Sequence, residues 1–205
     1  KLEKIIEQCG GEVIKIETGH QPRAALPLLL TPLLEKIGID NLDKQINEIR
    51  NMEIDVEKAK RIAQQIHGKL PCIYSSGIIG CISYRWRCQI EENSKQMAFH
   101  HLLPEMNHNE IVGWTIPHEE LAVIVLRDKK ETEEMKKRFE TTIDLAWKKK
   151  KVNIIEITAS GKYPLTRMMN LTILGDLVSI ELAKLNGINP TPVEIIENLK
   201  IELSK

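Results

Sequence analysis

The sequence has no excess of charge: its 205 residues carry 29 Lys+Arg against 29 Asp+Glu. A balanced chain generates no overall field to draw in nucleic acid or an anionic membrane. The one basic run, Lys148 to Lys151, reads as a solvated helix end. Long apolar runs are missing as well. The richest stretch, AALPLLLTPL at 24–33, is too short to span a bilayer and holds two prolines. Cys9, Cys72, Cys81 and Cys88 contain no CxxC pair and no zinc-like spacing, so they read as free thiols of a reducing cytoplasm. There is no HExxH and no complete phosphate- or dinucleotide-binding glycine pattern. What remains is a cytoplasmic, metal-free chain whose 42% hydrophobic residues are enough for a sizeable core. It opens at Lys1 without a methionine and runs straight into a helical pattern, so further chain is expected upstream.

The periodicities alternate between strand and helix. Residues 2–9 read as an amphipathic helix stopped by Gly10-Gly11, and EVIKIE at 12–17 as a strand. A leucine-rich helix is expected over 25–36, closed by Gly38, followed by polar amphipathic helices over 42–50 and 55–67. LPCIYS at 70–75, LAVIVL at 121–126 and NIIEIT at 153–158 read as buried strands of a parallel sheet. Helices are expected over 78–103, 131–148, 163–186 and 191–203, the last with Thr191 as N-cap and Pro192 at its first position. Such alternation implies an α/β fold with a parallel sheet between helices. Residues 1–40 hold one strand–helix pair, the tail of a preceding lobe. Residues 41–67 form a helical connector, and 68–205 form a lobe with three strands.

Several polar positions could carry chemistry. Glu91 and Glu92 fall in mid-helix about 100° apart, so one can face inward while the other meets solvent, or both can be solvated. His101 and Glu105 could share a metal, although no ligand motif surrounds them. His108 lies in the loop after the helix, between two asparagines, where it reads as an acid–base group or as an ordinary loop histidine. Ser75-Ser76-Gly77 could cradle an anion at a helix start. Arg23 precedes a helix, as an exposed side chain or as a cation near a ligand.

The combination of segments is distinctive. QIEENSK at 89–95 and PEMNHNEIVGW at 104–114 resemble the Q-x-x-E-N-x-K and PE-x-x-HNE-x-x-G motifs of the bifunctional phosphoglucose/phosphomannose isomerases. GHQPRAALPLLLTPLL at 19–34 and NPTPVEIIENLK at 189–200 are similar to two further segments of that family, in the same order. The resemblance implies sugar isomerase (SIS) lobes, each a three-layer sandwich with a parallel sheet between helices. It also implies interconversion of glucose 6-phosphate and mannose 6-phosphate with fructose 6-phosphate through an enediolate, without a cofactor. By the same resemblance Glu92 is the base, Arg23 steadies the enediolate, and Thr191 and Lys200 lie in the segment that closes over the sugar. His108 helps open the ring, acting across a homodimer interface. The chain departs from the family at Gln21-Pro22, Pro27-Leu28 and Glu91, and it contains no serine/threonine-rich phosphate loop. A sugar-phosphate sensor without catalysis, or an isomerase of another sugar phosphate, are the alternative readings.

Overall fold

A computed structural model describes residues 2–205, which form two compact units, one ending at Asn47 and the other running Glu48–Lys205. In the first unit, α1 (Leu2–Gln8) ends where Gly10 takes a left-handed φ of 69°. A tight turn at Pro22–Ala24 leads into α2 (Leu26–Ile37), closed by Gly38 at φ 77° as the glycine rule expects. Residues 12–17 form no strand, contrary to their alternation. A strand needs a neighbour for its N–H and C=O groups, and the strands that pair among the described residues all belong to the second unit. α3 (Leu42–Arg50) follows, with Gln45 buried and donating to the Asp40 carbonyl at 2.9 Å.

The second unit is built on four parallel strands in the order β2-β1-β3-β4: β1 (Leu70–Ser75), β2 (Phe99–Leu102), β3 (Leu121–Asp128) and β4 (Asn153–Ala159). Side chains alternate across β1 and β3. Ile73, Ala122, Ile124 and Leu126 face one cluster with Trp86, Ile90, Leu171 and Val178. Cys72, Tyr74, Val123 and Val125 face another with Met106, Phe139 and Trp147. That two-sided burial is why β3 reads as an uninterrupted apolar run. The first face is covered by α4 (Val56–Ile66), α5 (Gly80–Ser94) and α7 (Pro164–Leu185), the second by α6 (Glu133–Thr142) and the turns after it. The result is the expected three-layer α/β architecture.

Three elements of the second unit differ from expectation. The helix predicted over 78–103 stops at Ser94, where Lys95 turns left-handed at φ 54°. Residues 99–102 then form β2 on the open edge of β1, with Cys72 opposite Phe99 and Ser75 opposite Leu102. That edge offers FHHL a ladder, which overrides its weak local signal. The helix predicted to 148 loosens into a wide turn at Ile143–Trp147, which rotates Ile143, Ala146 and Trp147 into the core. α8 (Glu194–Leu203) begins later than predicted, with Val193 at its N-cap. The Asn189 side chain instead accepts from the Thr191 N–H at 3.0 Å, so Thr191 sits in a local turn rather than capping a helix.

Candidate functional site

The segment QIEENS occupies the last turns of α5, and its position is set by α7. Gln89 and Asn93 are buried polar residues on the α7 side, each with a partner there. Gln89 Nε2 donates to Asp176 Oδ1 at 2.7 Å, and Asn93 Nδ2 donates to Ser179 Oγ at 2.9 Å. Ser94 Oγ donates to the Ser179 carbonyl at 2.7 Å. Trp86 Nε1 donates to the Leu171 carbonyl at 2.8 Å across the same contact. With that face of the helix tied down, Glu91 and Glu92 are turned toward its other sides, both half-buried. Glu91 lies 3.6 Å from Arg87 one turn back.

Glu91 and Glu92 both line a cleft of about 550 Å³, shared with Lys95 and with residues of the 188–196 stretch, which joins the link after α7 to the first turn of α8. Lys95 joins the two walls. Its ammonium donates to the main-chain oxygen of Glu92 and, at 3.2 Å, to that of Pro190. Asn186, at the end of α7, adds a second stitch by donating to the Ser94 carbonyl at 3.0 Å. Neighbouring carboxylates are thus placed beside a cleft roofed by the link after α7 and the first turn of α8, an arrangement that can hold a small polar molecule against a base. Thr191 is exposed in that segment, between Asn189 and Pro192, which line the cleft. Lys200 is exposed on α8 and does not line it.

His108 lies elsewhere. α5 starts beside the C-terminal end of β1 and runs back for 15 residues, or about 22 Å. Glu92 therefore sits toward the N-terminal edge of the sheet. His108 follows β2 and sits at the C-terminal edge, exposed, in the loop between two tight turns at Glu105–Asn107 and Glu110–Thr115. One copy of the chain does not bring these two residues to one cleft. Arg23 stands half-buried in the tight turn Pro22–Ala24 of the first unit.

Two readings of polar residues are corrected. His101 pairs with Glu110, Nδ1 to Oε2 at 2.6 Å, and not with Glu105, whose carboxylate accepts from Asn109 at 3.0 Å. The Ser75 hydroxyl does not face a ligand site. It donates to Ser83 Oγ at 2.7 Å inside the protein, and Ser76 makes no side-chain cap. Lys95 and Asn186 went unnoticed as site residues. A lysine just past a helix end is a common way to satisfy the last carbonyls, and that signal could have singled out Lys95.

The family described as bacterial phospho-glucose isomerase C-terminal SIS domain matches residues 55–203. A bifunctional phosphoglucose/phosphomannose isomerase of Aquifex aeolicus (strain VF5) is 35% identical over 210 residues, covering 100% of this chain and 65% of that protein. One of Caldicellulosiruptor bescii is 38% identical over 225 residues, covering 100% and 66%. The chain thus spans about two thirds of the length of these relatives. Among solved structures, a glucose-6-phosphate isomerase-like protein from Thermus thermophilus superimposes with a TM-score of 0.67. It covers 96% of this chain and 71% of that one at 21% identity, a likeness of fold.

Proposed function

Since the chain belongs to the bacterial phospho-glucose isomerase C-terminal SIS domain family, we propose that it forms the larger part of a cytoplasmic sugar-phosphate isomerase. The reaction is the exchange of glucose 6-phosphate and mannose 6-phosphate with fructose 6-phosphate, in keeping with relatives aligned over the whole chain that are named bifunctional phosphoglucose/phosphomannose isomerases. The observation that carries the reading is Glu92, half-buried at a cleft whose far wall is the 188–196 segment. Aldose–ketose exchange needs one group that takes a proton from one carbon and returns it to the next. A single carboxylate held beside the open-chain sugar suffices, and such a base contributes roughly 10²–10⁴ in rate.

The other roles are those the family resemblance implies, and the residue types suit them. Arg23 supplies a fixed cation for the enediolate oxygens. Thr191, in the roofing segment, contacts the sugar when it is bound, whereas Lys200 lies outside the cleft lining. His108 donates and accepts protons in ring opening, a task suited to imidazole. Its separation from Glu92 to the opposite edge of the sheet supports a homodimer in which His108 of one copy serves the cleft of the other.

The test is proton NMR of fructose 6-phosphate in D₂O with the full chain. Deuterium should enter the sugar and both aldose phosphates should appear, with Glu92→Gln silent and still folded. Binding without exchange would replace the isomerase reading with that of a sugar-phosphate sensor. Exchange only with another sugar phosphate would move the substrate.

A further inference from the structure

The loop that carries His108 is fastened on both sides of it. At its start, the Leu103 N–H donates to the Ser75 carbonyl at 2.9 Å, and Met106 is fully buried against the sheet. Asn107 Nδ2 donates to Thr142 Oγ1 at 2.8 Å. Beyond His108, Asn109 folds back to Glu105 with Nδ2 and accepts from the Glu110 N–H at 2.6 Å. Glu110, half-buried, then makes the most connected attachment. Its carboxylate takes the Tyr74 hydroxyl from β1, His101 Nδ1 from β2 at 2.6 Å, and Trp114 Nε1 at 3.4 Å. Tyr74 and Trp114 are 1% and 4% exposed, so these donors have little access to water. Burial first, then Cys72 and Glu110, lifts the Tyr74 hydroxyl above its usual range, which keeps it a neutral donor. Its two oxygens gather one donor from β1, one from β2 and one from its own turn. Between these anchors the His108 ring is exposed.

We propose that Glu110 is a positioning residue for His108: joined to Tyr74 and His101, it locks the loop to the ends of β1 and β2 and presents the exposed imidazole in one place. This rests on the role given to His108 above. The ordering cost of a loop is then met on folding and not at each encounter with the sugar, and the ring meets its target already oriented.

A double-mutant cycle on the full chain tests it, with kcat and KM for fructose 6-phosphate measured for His108→Ala, Glu110→Ala and the two combined. Glu110→Ala should lower kcat by about 10- to 10²-fold, the cost of misplacing a reacting group by about 1 Å. The combined variant should be no slower than His108→Ala alone, because a residue acting only through His108 has nothing further to lose. Glu110→Gln, which keeps an acceptor for Tyr74, should recover part of the rate. Full activity in Glu110→Ala, or losses that multiply in the combined variant, would overturn the proposal. Normal activity in His108→Ala would remove its premise, while the isomerase reading would still stand if Glu92→Gln is silent. Should Glu110→Ala fail to fold, Tyr74→Phe, which deletes one donor, takes its place in the cycle with the same non-additivity expected.

Discussion

Arg85 on α5 and Asp176 on α7 meet through two parallel bonds, Nε to Oδ1 at 3.1 Å and the second guanidinium nitrogen to Oδ2 at 2.7 Å. The same carboxylate accepts from Gln89, so one acidic residue aligns the helix that carries Glu92. Asp176→Ala takes a shared acceptor away from two donors, one of them charged and mostly out of solvent. The variant should lose about 1–3 kcal/mol of stability, seen as a lower urea midpoint at an unchanged slope.

Gly175, next to Asp176, is small for a reason. A Cβ there would run into the indole of Trp86, which is 1% exposed. Gly175→Ala should destabilise by about 1–3 kcal/mol through overpacking. Trp86→Phe makes room but gives up the bond to the Leu171 carbonyl. The two substitutions together should therefore cost less than the sum of their separate losses, measured by thermal or urea unfolding.

Three of the four cysteines should separate by reactivity. Cys9 and Cys81 are exposed, while Cys72 is buried between the sheet and Trp147. Burial first, with Glu110 adding to it, pushes the Cys72 thiol from its ordinary 9.0 up to about 12. At pH 8 a disulfide reagent should modify Cys9 and Cys81 quickly and spare Cys72 until the protein unfolds. The folded thiol holds its proton where the unfolded thiol has lost it. Its contribution to stability is thus complete below pH 9 and lost as the pH climbs from 9 toward 12. An unfolding midpoint that begins to fall above pH 9, and falls less in Cys72→Ala, would show it.

How much of this was legible depended on how far apart the cooperating residues lie. β3 announces itself because both of its faces are buried, so six consecutive positions are apolar. β2 does not, because two histidines stand in its four residues and its strand state comes from the open edge of β1. EVIKIE shows the opposite failure, an alternation with no ladder to join. Glu92, His108 and Arg23 could be singled out within short motifs. The tie from Tyr74 to Glu110 spans 36 positions, and no local pattern points from one to the other. Thr191 looked like a helix cap until Asn189, two residues earlier, took its N–H.

Lys95 combines two features whose effects oppose one another. Its left-handed backbone, φ 54°, disfavours any side chain with a Cβ, and its ammonium stitches the Glu92 carbonyl to that of Pro190. Lys95→Gly relieves the first and abolishes the second, whereas Lys95→Met keeps the stem and abolishes only the second. Both should loosen the 188–196 wall of the cleft and raise KM for fructose 6-phosphate by roughly 3- to 10-fold, about the worth of one net hydrogen bond. Their stabilities should diverge, with the glycine variant the more stable by about 1 kcal/mol, since glycine adopts that backbone freely. Limited proteolysis gives an independent reading: cleavage within 188–193 should speed up in both variants, and equal cleavage rates with unchanged KM would show that the stitch does not hold the wall.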